Sequence, residues 1–177
     1  MIALNNWPNV LLTGPRTIKR LSPINNNVEE QDIFTAVLSA QNIDLQQIIG
    51  SNLLWKLQEL IATGDINSIE RFNYKALLDI YITPFLTSVI TFKLMPIIQY
   101  KIRNKGVVTT NDEHVNNAAY SEMKNVIELY RNESTEYGNI LKKFLCKNRS
   151  SFPELECNQD TVVCPDLEKQ YAIPFVL

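Results

Sequence analysis

Apolar residues recur at helical spacing over most of the chain and divide it into segments of different character. Ile33, Phe34, Val37 and Leu38 mark a short helix between Glu29 and Ala40. A second is expected from Asp44, read as its N-cap. Leu45, Ile48, Ile49, Leu53, Leu54, Leu57, Leu60 and Ile61 keep the 3.6-residue period, and Gly64 supplies a C-terminal stop. Gly50 is expected to interrupt or kink this helix. Trp55 lies outside the main spacing and either widens the buried stripe or sits at a subunit contact.

From Asn73 to Ile102 the pattern is helical and broadly apolar, through Leu77, Leu78, Ile80, Tyr81, Phe85, Leu86, Val89, Ile90, Phe92, Leu94 and Ile98. A helix with so few polar positions is expected at the centre of a bundle. Thr83-Pro84 reads either as a cap with proline at the first position of a new helix, or as a kink in a single one. The segment from Lys101 to Thr110 is expected to be a loop or short ribbon, with Gly106 able to take positive φ. Thr110-Asn111-Asp112-Glu113 matches a capping box, so a long helix is predicted to run from there to about Asn148. Its apolar side is marked by Val126, Tyr130, Tyr137, Ile140, Leu141, Phe144 and Leu145.

The two ends differ from this core. Residues 1–32 read as an irregular arm, with Pro8, Pro15, Pro23 and several asparagines. Trp7, Leu11, Leu12, Ile18 and Leu21 make it too apolar for a solvated linker, so it packs either on a partner or around its own domain. Residues 33–150 form the helical core. Residues 151–177 are an acidic extension ending in Tyr171, Ala172, Ile173, Pro174, Phe175, Val176 and Leu177, whose apolar character suits an extended arm docked on another subunit. The expected fold class is mainly α: a helical bundle with a long C-terminal helix and extended N- and C-terminal arms.

Composition narrows the function. Only five glycines are present, too few for a glycine-punctuated β-sandwich or a phosphate-binding loop. A net charge of −2 disfavours binding to nucleic acid by phosphate neutralisation, and no compact basic recognition helix is visible. Asp79 and Lys93 interrupt the richest apolar run, so no membrane span is expected, and the N-terminus lacks a signal-peptide pattern. Cys146, Cys157 and Cys164 make no CxxC pair and are expected to be free thiols, with a Cys157–Cys164 disulfide conceivable in an oxidising setting. His114 falls in the first turn of the predicted long helix, where solvent exposure explains it better than general-base chemistry. No nucleophile with a base, metal-ligand cluster or Walker motif occurs, so neither catalysis nor a cofactor is expected. Lys101, Arg103 and Lys105 lie at a chain reversal, and Lys142, Lys143, Lys147 and Arg149 in the last turns of the long helix. Solvation explains both groups. Contact with an acidic protein surface, or with the phosphates of passing DNA, is the functional alternative.

Several segments taken together carry a resemblance. Ala40-Gln41, Ile48-Ile49-Gly50 and Leu53-Leu54-Trp55-Lys56-Leu57 are followed by Tyr81-Ile82-Thr83-Pro84-Phe85 and by the run from Lys101 to Val108. Tyr137, Leu145 and Ser151-Phe152-Pro153-Glu154 close the pattern. In this order they resemble the head-to-tail adaptor proteins of tailed bacteriophages, of the kind found in phages of Bacteroidetes hosts, including crAss-like phages. The resemblance implies a non-enzymatic virion protein made in the host cytoplasm. Usually twelve copies form a ring below the portal, joining the DNA-filled head to the tail. The implied partners are identical neighbours, the portal protein, other tail or ring proteins, and genomic DNA passing without sequence-specific recognition. Expected interface residues are Lys101, Arg103, Lys105, Tyr171, Ile173, Phe175, Val176 and Leu177. A small helical regulatory or nucleic-acid-binding protein is the alternative.

Overall fold

A computed structural model of the chain describes residues 10–103, 106–109, 120–157 and 163–172, with the backbone alone for 99–103, 106–109 and 120–123. The elements are α1 (Pro15–Leu21), α2 (Glu30–Ser39), α3 (Gln46–Thr63), α4 (Phe72–Ala76), α5 (Thr83–Gln99) and α6 (Tyr120–Lys147). A ribbon of β1 (Tyr100–Arg103) and β2 (Gly106–Thr109) joins α5 to α6. The architecture is a mainly α-helical bundle, as the 3.6-residue periodicity requires.

Two π turns make long helices out of short ones. Ala40–Leu45 connects α2 to α3 with right-handed helical dihedrals on both sides. Asp44 is therefore inside a helix and does not cap one, a correction to the expected start; its carboxylate pairs with Lys93. Leu77–Ile82 connects α4 to α5 in the same way. Proline in a helix interior lacks an N–H and its ring clashes with the carbonyl four residues back. A wider i→i+5 turn just before Pro84 relieves both conflicts, so the chain makes a single helix here rather than starting anew at Thr83. It ends at Gln99, earlier than expected, because Ile102, Val107 and Val108 suit an extended ribbon better. The strands pair antiparallel, with Lys101 opposite Val108 and Arg103 opposite Gly106.

The helix α3 does break, at Gly50, whose φ of 76° and ψ of 166° lie in a region that only glycine visits readily. Trp55 is half-buried and widens the apolar stripe. The expected capping box at Thr110 to Glu113, and His114, lie outside the described residues.

Packing centres on α5. Leu77, Ile82, Phe85, Leu86, Val89, Ile90 and Leu94 are all buried, against Ile33 and Val37 of α2, Ile49, Leu53 and Leu57 of α3, and Leu141 and Leu145 of α6. The run Ile69–Ile98 is long and apolar enough to cross a membrane by length and composition, but these helices pack against it and more than half of its most apolar 18-residue stretch is buried. The inner face of α6 differs from its expected apolar side. Ser134, Gly138, Asn139 and Lys142 are buried with Leu141 and Leu145, whereas Val126 and Ile140 face solvent.

Both ends, so far as they are described, pack on this core. The N-terminal arm is not irregular throughout: residues 15–21 form α1, which buries Ile18. Upstream of it, Gln41 accepts from the Leu12 N–H at 3.2 Å and donates to the Val10 carbonyl at 3.1 Å, and Gln58 donates to the same carbonyl at 3.2 Å. Two buried amides thus satisfy the backbone of an extended segment that has no strand to pair with.

Candidate interface site

The expected interface residues fall into two places. Lys101 and Arg103 occupy alternate positions of β1, in register with Val108 and Gly106 of β2. The principal packing of the ribbon, beyond its own strand pair, is against the end of α5. It therefore stands at one end of the bundle. Lys105, Ile173, Phe175, Val176 and Leu177 lie outside the described residues.

Tyr171 belongs to the protein's own core, not to an outer docking face. Its ring meets Phe85 edge to face with centroids 5.5 Å apart, and its N–H donates to Asn139 Oδ1 at 2.9 Å. The same ring lies over Gly138, where a Cβ would collide with it. Burial, reinforced by the nearby Asp44 carboxylate, pushes the Tyr171 hydroxyl well above the ordinary tyrosine range. Asp44 is itself pushed up from the usual carboxylate value by burial, which outweighs its hydrogen bond and ion pair with Lys93 at 2.5 Å. Lys93 also donates to Ser39 Oγ at 3.1 Å. The ion pair ties the π turn to α5, and the Ser39 bond adds the end of α2. Sequence reasoning marked Lys93 only as a break in an apolar run; a lone cation in the most apolar helix, with a carboxylate in the preceding one, was the available signal.

Between Cys157 and Tyr171 the extension is stitched to the bundle at three points. The Ser51 N–H donates to the Val163 carbonyl at 2.9 Å, and the Val163 N–H returns to Ser51 Oγ at 2.8 Å. Pro165 and the Val163 carbonyl lie so close over Gly50 that a Cβ there would meet Pro165 Cδ at 2.7 Å. Lys142 donates to the Lys169 carbonyl at 2.8 Å, and burial lowers its pKa although Asp166 opposes this. Lys142 is thus a buried clasp, in contrast to its expected place on a solvated helix end; Lys143, Lys147 and Arg149 are exposed as expected. Cys157 and Cys164 form a disulfide with Cα atoms 5.7 Å apart, correcting the expectation of three free thiols, and Cys146 is free and exposed. Nearby, Tyr74 donates to both Glu154 oxygens at 2.9 and 3.0 Å and packs edge to face on Phe152. Burial and the Glu154 carboxylate push its hydroxyl up to about 12.

Large apolar side chains also reach solvent: Ile69, Phe72 and Ile80 around α4 and its π turn, and Leu21, Val126 and Leu129 near α1 and α6. Among the described residues no group of three or more His, Cys, Asp or Glu is arranged to hold a metal ion.

Fold and surface together define a helical-bundle protein with a ribbon after α5 and the described parts of both extensions packed on the bundle. The chain belongs to the family described as a family of unknown function (DUF6712), which matches residues 45–164. No curated protein and no solved structure matches it.

Proposed function

We propose that this chain is a head-to-tail adaptor subunit of a tailed bacteriophage, forming a ring below the portal that joins the DNA-filled head to the tail. The observation that carries the reading is the ribbon from Tyr100 to Thr109. It coincides with the Lys101-to-Val108 segment of the resemblance, and Lys101 and Arg103 hold alternate positions of its first strand. A ring subunit has this need: a rigid body for its neighbours and a projecting cationic element for the portal or for the DNA in the channel. The family match at 45–164 spans most of the resembling segments, from Ile48 to Glu154. On this reading the protein is structural and not an enzyme. Its partners are identical subunits, usually twelve in all, with the portal, other tail or ring proteins and the passing genome.

Native mass spectrometry and negative-stain imaging of the purified chain with its portal test this. A closed ring on the portal is the expected result; a two-fold dimer as the sole assembly would sink it, because a ring is built from heterologous contacts. Charge reversal of Lys101, Arg103 and Lys105 should leave the circular dichroism spectrum unchanged and reduce attachment to the portal. Undiminished attachment would remove these residues from the interface.

A further inference from the structure

We infer that the Cys157–Cys164 disulfide is a redox-sensitive latch: closed, it holds a cover, Val163 to Pro165, over the kink of α3, and its reduction lets that cover lift while Tyr171 stays seated. Both cysteines are exposed, so a dithiol in solution can reach the sulfurs. Exposed disulfides are the ones that exchange readily and serve regulation. The dithiol balances the reaction. Its thiolate attacks one sulfur and the S–S bond breaks; two electrons and two protons end on Cys157 and Cys164 as thiols, and the dithiol leaves as its own disulfide. A reducing compartment thus opens the latch and an oxidising one closes it.

The cover itself is lightly held. At the Gly50 kink, buried Ser51 takes its partner from outside α3: its N–H donates to the Val163 carbonyl at 2.9 Å, and its Oγ accepts from the Val163 N–H at 2.8 Å and from Gln46 Nε2 at 2.9 Å. Pro165 closes over Gly50. Neither Val163 nor Pro165 belongs to the hydrophobic core. The chain on either side is anchored more firmly, by buried Phe152 and Leu155 before it and by Tyr171 against Phe85 and Gly138 after it. Cys157 follows closely on Leu155, and Cys164 stands between Val163 and Pro165, so the bond joins the first anchor directly to the middle of the cover.

The bond is strong enough to matter at this place. A hydrogen bond shifts an opening equilibrium by a net factor of about two to ten, so the pair at Ser51 contributes roughly five to a hundred. Closing a loop with a sequence separation of 7 restricts the open state by a factor on the order of fifty, and by less where anchors already limit the free chain. Breaking the disulfide therefore favours opening about as much as deleting both hydrogen bonds. Beyond the cover, Lys142 donates to the Lys169 carbonyl and the Tyr171 N–H to Asn139, neither of which depends on the sulfurs, so the opening stops there. The latch works within a single chain and does not depend on the ring reading.

The test uses the full chain with the exposed Cys146→Ser, so that Cys157 and Cys164 are its remaining cysteines. Amide hydrogen exchange is read by NMR in the air-oxidised chain, in the same chain with dithiothreitol, and in a chain that also carries Cys157→Ser and Cys164→Ser. Dithiothreitol should speed exchange of the Ser51 amide by roughly tenfold to fiftyfold and leave the Tyr171 amide within about twofold. Reoxidation should reverse the change, and the serine chain should match the reduced one with or without dithiothreitol. Ser51 exchange that reduction leaves unchanged overturns the latch, because the bond then holds nothing at the kink. Ser51 and Tyr171 amides that accelerate together, or a reduced or serine chain that loses its helical circular dichroism, also overturn it, because the bond then supports the whole fold. An air-oxidised chain whose intact mass still shows two thiols has no latch at all.

Discussion

At Gly138 and Tyr171, two residues that look unrelated in sequence depend on each other. A glycine within α6 costs about 1 kcal/mol of helix propensity relative to alanine. Here it makes room for the Tyr171 ring. Gly138→Ala should nevertheless destabilise by about 1–3 kcal/mol, because the overpacked ring must move. Combining it with Tyr171→Ala should be less costly than the two singles summed, which urea denaturation in a double-mutant cycle will read. Asp44 gives a pH dependence with a definite sign. Its folded pKa is raised, so its contribution to stability is full below the ordinary aspartate range and is lost as pH rises through the folded value. Asp44→Asn should flatten that part of the stability profile. Lys93→Met should steepen it and cost on the order of 2–3 kcal/mol at neutral pH, toward the low side for a broken buried pair because Lys93 is partly exposed. These residues were poorly legible beforehand. Periodicity identifies apolar neighbours, whereas Asp44, Lys93, Gly138 and Lys142 matter through partners far away in the chain.

Among the elements, helices were readable and their joints were not. The apolar period located the cores of α2, α3, α5 and α6, and the positive φ at Gly50 fulfilled the expected break in α3. The π turns were invisible because they keep helical dihedrals while shifting the register by one residue. Their effect is that Asp44 points to Lys93 and Pro84 sits inside a continuous helix. The C-terminal extension was read as an arm for another subunit, and its described part instead completes the bundle. Two truncations separate its parts. Removing residues 173–177 should leave the thermal midpoint nearly unchanged. Removing 171–177 deletes Tyr171 from its place against Phe85 and should cost about 3–5 kcal/mol, the range for losing a large buried aromatic. Equal midpoints for the two truncated chains would mean that Tyr171 contributes little.

For the whole molecule, the fold class was legible because a long apolar helix must be surrounded by others, and Leu86 is buried at its centre as that argument requires. Leu86→Asp should destabilise by about 4 kcal/mol or more, or abolish folding, since it puts an unpaired charge among apolar neighbours. Near the candidate interface, the chain reversal was legible and a ribbon stands there, whereas the exposure of Phe72 was not, because it depends on how the helices are rotated. The helix α3 is where the segments before α1 and after α6 meet. Its Gln58 holds the carbonyl of Val10, and its Ser51 pairs with Val163, a separation of 112 residues. Proteins are synthesised N-terminus first, so α3 must wait for Val163, 112 residues after Ser51, before the kink at Gly50 is covered. Chains stalled before Val163 should leave α3 open at Gly50, the place where a protease present during synthesis would be expected to cut first.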